Sequence, residues 1–306
     1  LVNYSFSKKI LQFSFSLGSG NFGGTGGNSP TVTAIQGGPE GPAALRATAL
    51  IQVVGGPTSG TMEAAIYGLP LSLMNQLTTL GNQLNQLGQN YVSVSAGDDR
   101  TGLCLVFQGT IYDAYMDGVS SMPRVPFRFR ATADGALRLK MIKPTSVQGQ
   151  ADVKTVMGQL AGAAGLQLQD GGVNVKVMNP YLIGAIRTQM SELASMAGIQ
   201  HIVDRGKLAI WPTSGSRPGG GSTISPQTGM VGYPAFESAQ VVVKMLFDPS
   251  FSVGQTFTVQ SDVTPACGQW VCNKMVYDLE SETPSGKWFQ TLWGTRSGQQ
   301  TQTSSR

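Results

Sequence analysis

Few residues in this 306-residue chain belong to the types that make and break bonds. His201 is the single imidazole. It falls between Gln200 and Ile202 on strand-patterned sequence, ahead of Asp204, and no Gly-x-Ser-x-Gly elbow accompanies it, so it reads as a structural histidine. Cys104, Cys267 and Cys272 are an odd number of thiols. Cys267 and Cys272 have no histidine near them and fall short of the four ligands of a structural zinc site. Spacing leaves open a disulfide between them, or a site shared between chains. The favoured reading is buried free thiols.

Gly18, Gly20 and Gly23 match G-x-G-x-x-G after a strand. The dinucleotide fingerprint works because a helix opens inside it and holds the pyrophosphate on its N-terminus. Here Gly24 to Pro30 continue as loop and a strand follows, so a flexible Gly-rich loop over 18–30 is expected. Neither Gly206-Lys207 nor Gly286-Lys287 carries the rest of a phosphate-binding loop. Asp98/Asp99 and Glu280/Glu282 lie in turn-like sequence. Asp278, Glu280 and Glu282 share one face if their strand continues, as a hairpin end or a partner contact. A glycosidase needs two carboxylates at a set separation, and nothing marks such a pair. The expectation is no catalytic, cofactor-binding or metal residues, no cofactor, and no enzyme.

The elements that surround these residues are mostly strands. Lys9 to Leu17 sets Phe13, Phe15 and Leu17 against Gln12, Ser14 and Ser16. Thr31–Ile35 reads as a short strand, Leu45–Val54 as a longer one, and Thr61–Tyr67 as its hairpin partner after Gly55, Gly56 and Pro57. Pro70 opens a helix with Leu73, Leu77, Leu80, Leu84 and Leu87 at helical spacing, ended or interrupted at Gly81. Tyr91–Ser95 and Leu103–Tyr112 are strands joined by a turn-rich loop, and Val125–Ala133 is another, alternating Phe127 and Phe129 with Arg128 and Arg130.

Between about 150 and 212 the pattern changes. Asp152 caps a helix over Val153–Ala164. Leu166–Leu168 and Val173–Val177 flank Gly171-Gly172 as a hairpin. Asn179-Pro180 opens a second helix, Leu182–Ala197, stopped by Gly198. Ile199–Val203 and Lys207–Trp211 pair around Asp204-Arg205-Gly206. The order is α-β-β-α-β-β. Residues 212–229 read as a Pro/Gly/Ser loop or linker. Strands resume at Ala239–Phe247, Gln255–Gln260, Gln269–Leu279 and Lys287–Leu292, and the tail from Arg296 is polar. Val106–Asp113 and Val271–Asp278 keep Val, Tyr and Asp at equal offsets, a hint of duplication.

Charged residues are 12% of the chain, against roughly 25% in ordinary soluble domains. The formal charge is +4 and the apolar fraction 41%, enough for a core and too little charge for a disordered chain. Neutral polar groups bury at contacts at less cost than ions, so the composition favours a chain built into a permanent assembly over a neutral-surfaced loop protein. The basic stretch Arg124, Arg128, Arg130, Arg138, Lys140 and Lys143 is diluted by Pro, Phe and Ala and has strand periodicity, unlike a phosphate track. No apolar run reaches the ~18 residues of a membrane helix. No signal peptide is marked, and Leu1 points to an unusual or trimmed start.

Several stretches together are similar to one family. TMEAAIYGLPLSLMNQLTTLG (61–81), YVSVSAGDD with FQGTIYDAY (91–115), QGQADVKTVMGQLA (148–161), NPYLIGAIRTQMSELASMAGI (179–199), VDRGKLAIWP (203–212), SPQTGMVGYPAF (225–236) and VYDLESETPSGKWFQTL (276–292) carry it. The chain resembles tailed-bacteriophage baseplate hub proteins, the class allied to the late control protein D and Mu-like hub families. The resemblance implies an α+β, mainly β chain. Two tube-protein-like β-barrels, residues 1–120 and 226–306, flank an α+β insertion at 121–225. It implies a homotrimeric ring, adapting a sixfold tail tube to a threefold spike around a lumen. Its partners would be its own copies, a tube or tube-initiator protein, the central spike or tip protein, other baseplate proteins and the tape-measure protein. DNA would be met only in transit, with no membrane binding. The place would be the virion tail, assembled in the host cytoplasm. The alternatives are a tail-associated peptidoglycan hydrolase, or a carbohydrate-binding adhesin using Trp211, Trp270, Trp288 and Trp293.

Overall fold

The computed structural model describes residues 7–17, 45–56, 58–78, 90–118 and 125–296. In chain order the first elements are β1 (Lys9–Leu17), β2 (Ala47–Val54), β3 (Thr61–Tyr67), α1 (Leu71–Leu77), β4 (Asn90–Asp98), β5 (Gly102–Met116), β6 (Pro126–Thr132) and α2 (Gly135–Leu139). Then come β7 (Thr145–Ser146), β8 (Gln150–Asp152), α3 (Val153–Ala164), β9 (Gln167–Asp170), β10 (Lys176–Met178), β11 (Tyr181–Leu182), α4 (Ile186–Ala197), β12 (Ile199–Asp204) and β13 (Lys207–Pro212). The last are β14 (Gly220–Ile224), β15 (Ala235–Glu237), β16 (Gln240–Leu246), β17 (Thr256–Val259), β18 (Gly268–Ser281) and β19 (Trp288–Thr295). The fold is α+β and mainly β, as the period-2 patterning implies. The chain divides into two compact units: Leu1–Gln52, Gly60–Ala136 and Val276–Phe289, and Val53–Ser59, Leu137–Met275 and Gln290–Arg306.

The first unit is one curled sheet in the order β1-β4-β5-β6-β3-β2-β18-β19. Alternation places Phe13, Phe15, Phe127 and Phe129 inside and Arg128 and Arg130 outside. Although β4 and β5 lie between β1 and β6, the Phe129 ring meets Phe13 and Phe15 edge-on at 5.8 and 5.3 Å. Register shifts at Val94/Ser95 and Ile111/Asp113 supply extra local twist for that curl. The start of β1 also reaches the exit of β18, where Lys8 Nζ lies 2.9 Å from Glu282 Oε1.

In the second unit, α3 buries Val153, Val156, Met157 and Leu160 against α4 and β9. Asp152 caps it by accepting from the Thr155 N–H at 2.9 Å, and Gly165 ends it at φ 75°. β9 lies parallel to β13, whose other neighbour, β12, is antiparallel. The β12–β13 turn has positive φ at Arg205 (48°) and Gly206 (75°), the type I′ pattern that matches strand twist. The remaining strands include the neighbours β19-β16-β15 and a parallel β14–β17 pair beside β18.

Four expectations need correction. No hairpin forms at Gly171-Gly172: β9 pairs with β13 and β10 with β8. Asp170 accepts the N–H groups of Gly172 and Val173, turning the chain away from β9, while Gly171 donates to Ile210 O at 2.7 Å. Asn179-Pro180 does not open a helix; β11 pairs with β7, and α4 starts at Ile186. Residues 212–229 are not all linker, because β14 lies within them. The thiols are not all buried, since Cys104 is exposed. The proposed strand at Thr31–Ile35, the Gly-rich loop at 18–30, Arg124 and the leucines beyond Leu77 of the first helix lie outside the described residues.

Candidate functional site

Residues singled out by type do not converge. His201 is buried, and its Nε2 accepts from Arg187 Nη1 at 2.6 Å, which fixes the imidazole as the neutral Nδ1–H tautomer. Arg187 also donates to Gly56 O at 3.2 Å and Ser191 Oγ at 2.9 Å. Asp204 is turned to other partners, so no His–Asp relay is formed by this pair. Asp98 is the anchor of the β4–β5 turn: Oδ1 accepts from Thr101 N at 2.7 Å and Arg100 N at 3.0 Å, and Oδ2 from Lys9 Nζ at 3.3 Å. Burial alone raises its pKa, but these hydrogen bonds outweigh it and hold the carboxyl below the usual range. Asp99 accepts from the Lys8 N–H at 3.1 Å, fastening the same turn to the chain entering β1.

Asp278 pairs with Lys287 at 3.0 Å, and Glu282 with Lys8. Cys267 donates to Ser261 O at 3.1 Å, and the buried Cys272 thiol is pushed up to about 12 by burial. All three cysteines are free. Among the described residues no cluster of His, Cys, Asp or Glu is placed to hold a metal. Trp211, Trp270 and Trp288 are buried. Trp293 donates to Glu237 Oε2 at 2.8 Å beneath Lys274, so it too is used within its own unit.

Two arrangements were not anticipated from sequence. The first is ionic and buried: Asp204 accepts from Arg217 Nη1 at 3.0 Å and from the Arg205 guanidinium at 3.0 Å. Arg217 Nε donates to Gln169 Oε1 at 2.8 Å, and Arg205 to Ser252 Oγ. The knot joins the β12–β13 turn, β9, the segment before β14 and the segment before β17. Burial pushes the Asp204 pKa up, but the two arginines reverse this and hold it low.

The second is the outer face of the first unit, a groove of about 380 Å³. Cross-strand register aligns Leu50, Glu63, Arg130 and Asp113 in one row, and Thr48, Ala65, Arg128 and Tyr115 in the next. Arg130 lies 3.0 Å from Glu63 and 3.8 Å from Asp113, and Arg128 lies 2.9 Å from Asp117. Each cation is answered by a carboxylate from its own sheet. Chemically this face can pack against a polar neighbour, and it offers phosphates no unneutralised row of arginines.

The structure is similar to the 43 kDa tail protein of prophage MuSo2 from Shewanella oneidensis, with TM-score 0.58 and 8% identity, covering 95% of this chain and 97% of that one. It is similar to a tail protein from Neisseria meningitidis MC58, with TM-score 0.55 and 9% identity over 82% and 95% of the two chains. The E. coli c3393 protein, a type VI secretion component described as structurally similar to the T4 tail proteins gp27 and gp5, matches at TM-score 0.52 and 10% identity, over 82% and 73%. No curated protein sequence matches. The family model for baseplate hub gp41 matches residues 61–288, and the chain belongs to that family. It is a phage tail baseplate structural protein, of a family not known for enzymes.

Proposed function

We propose that the chain works as a homotrimeric ring that adapts a sixfold tail tube to a threefold spike or tip. In this reading two tube-like barrels, near residues 1–120 and 226–306, flank an α+β insertion at 121–225, so three copies present six barrels. The observation that carries the proposal is the family match across 61–288. Two further features support it. The curl that brings β1 against β6 is the geometry a barrel wall needs, and curled or ring-paired sheets leave few free edges. The low charge suits a chain whose flanks are buried against neighbours.

The mechanism is mechanical. The ring binds the tube or tube-initiator protein on one side and the spike on the other, with further baseplate proteins around it. The lumen passes the tape-measure protein and then DNA. Passage requires weak contact, which a lumen without rows of unneutralised cations would give. Assembly takes place in the host cytoplasm before the tail is completed.

Native mass measurement and electron-microscopy classes of the purified chain test this. Trimers forming threefold rings with an open centre are expected. A monomer at every concentration, or salt-resistant retention of duplex DNA in a gel shift, refutes it.

A further inference from the structure

Four exposed large apolar side chains lie on one ribbon of the second unit, and a fifth, Leu139, ends α2 just before it. Met141 is 71% exposed, Tyr181 64%, Met178 62%, Ile183 50% and Leu139 48%. The ribbon consists of two antiparallel segments, with Met141 bridged to Ala185, Thr145 paired with Leu182, Ser146 with Tyr181, and Gln150 with Met178. Val177, Pro180 and Leu182 are buried and alternate with exposed Met178, Tyr181 and Ile183. The strands that carry the inward residues, β10 and β11, pack toward α4, so Met178, Tyr181 and Ile183 are left outward, with the polar Ser146, Gln150 and Asn179 exposed among them.

The rim of this strip is basic along most of its length, with one carboxylate, Asp152, at its end. Arg138, Lys140, Lys143 and Lys176 are exposed, and neither 135–151 nor 171–191 contains an Asp or Glu. Lys140 is held in place by donating to Ala163 O at 2.7 Å. The nearest carboxylate along the ribbon, Asp152 opposite Lys176, is committed to the N-cap of α3.

We propose that this ribbon docks a different protein of the tail, one that presents an apolar strip flanked by carboxylates. The proposal rests on the hub reading for the place of the partner, and on this surface for its chemistry. A second copy meeting the ribbon about a twofold axis sets cations against cations. One meeting it head to tail, as in the proposed ring, finds Glu63, Asp113, Asp117, Asp278 and Glu282 already paired with cations of their own. A lipid surface is engaged by a long amphipathic helix bearing Trp, Phe and Leu, whereas this is a short two-stranded ribbon. Methionine thioethers adapt to a protein partner's relief, and a grouped apolar surface of this kind marks a contact.

The test is photo-crosslinking in assembled virions, with benzoylphenylalanine in place of Tyr181 or Met141, and at exposed Gln159 on α3 as the control. Both ribbon positions are expected to crosslink one segment of another virion protein, with apolar residues and Asp or Glu interleaved. Crosslinks to a second copy, to DNA or to lipid, or none above the control, overturn the proposal. In solution, the full chain should bind a synthetic helical peptide with Leu on one face and Glu on the other. Met141→Ser with Ile183→Ser should weaken that binding by at least about tenfold with an unchanged melting temperature. Equal binding of the Lys-for-Glu peptide, or equal binding to phosphatidylglycerol vesicles, also overturns it. Virions that contain the chain as a ring but give no ribbon crosslinks sink this inference alone; virions that lack the chain sink the hub reading.

Discussion

Arg217 Nη1 sits 3.0 Å from Asp204 Oδ2, and both side chains are almost fully buried, at 4% and 7% exposure. A charge pair at that depth is held by its full set of partners, here Arg205, Gln169 and Ser252 as well. Removing one member strands the other in low dielectric. Arg217→Met should therefore destabilise the second unit by about 3 kcal/mol. Urea unfolding followed by tryptophan fluorescence reads this, because Trp211, Trp270 and Trp293 lie in that unit.

The same pair sets a pH dependence. The Asp204 pKa is lower folded than unfolded, so its contribution is fully present above the unfolded value of about 3.9. It is lost as pH falls through the folded value. The urea midpoint should drop below pH 4 in the native chain and drop less in Asp204→Asn. Equal acid sensitivity in both places the titrating group elsewhere.

Phe129 touches Phe13 and Phe15 across the curl. Phe129→Ala removes the ring that joins β6 to β1, and about 3–5 kcal/mol of stability should go with it. Phe129→Leu should retain most of it. Calorimetry on the two variants separates loss of packing volume from loss of shape.

Gly254 has φ +91°, and a Cβ there would stand 2.7 Å from the Trp211 ring. Gly172 has a similar φ, +87°, with nothing within 4 Å. Gly172→Ala should cost about 1 kcal/mol from backbone strain alone. Gly254→Ala should cost more by the clash, and the difference in urea midpoint between the two variants measures that clash.

The thiols differ in reach. Cys104 is exposed, while Cys272 is buried with its thiol pushed up to about 12. An aromatic disulfide reagent at pH 8 should modify Cys104 in the native chain and Cys272 only after unfolding. Rapid labelling in Cys104→Ser, with mass spectrometry placing the label on Cys272, contradicts the burial described for it.

Local signals served where they were self-contained. Asp152 as a cap and the apolar spacing that follows it gave α3 its span, Val153–Ala164, because a helix is held by its own backbone. Arg128 and Arg130 alternating with Phe127 and Phe129 gave the faces of β6 for a similar reason. The failures occurred where a distant strand decides. Gly171-Gly172 has hairpin chemistry, yet β9 is claimed by β13 some forty residues on. Arg217 lies in the Pro/Gly/Ser stretch read only as a loop or linker, and no local signal ties it to Asp204, which lies in another element. A lone arginine in an otherwise uncharged stretch was the available sign. The family resemblance pointed to a phage tail baseplate protein, which no arrangement of reactive side chains announced.

The contact between Lys8 and Glu282 bears on synthesis. The first unit takes its residues from Leu1–Gln52, Gly60–Ala136 and Val276–Phe289, so the ribosome must pass Val276–Phe289 before that sheet has its last strands. The α+β layer between Leu137 and Met275 is available to fold while the early strands wait, with aromatic faces such as Phe13 and Phe15 uncovered. Truncated nascent chains are therefore the species most in need of chaperone cover, and a stop codon shortly before Val276 would leave an aggregating fragment rather than a smaller hub.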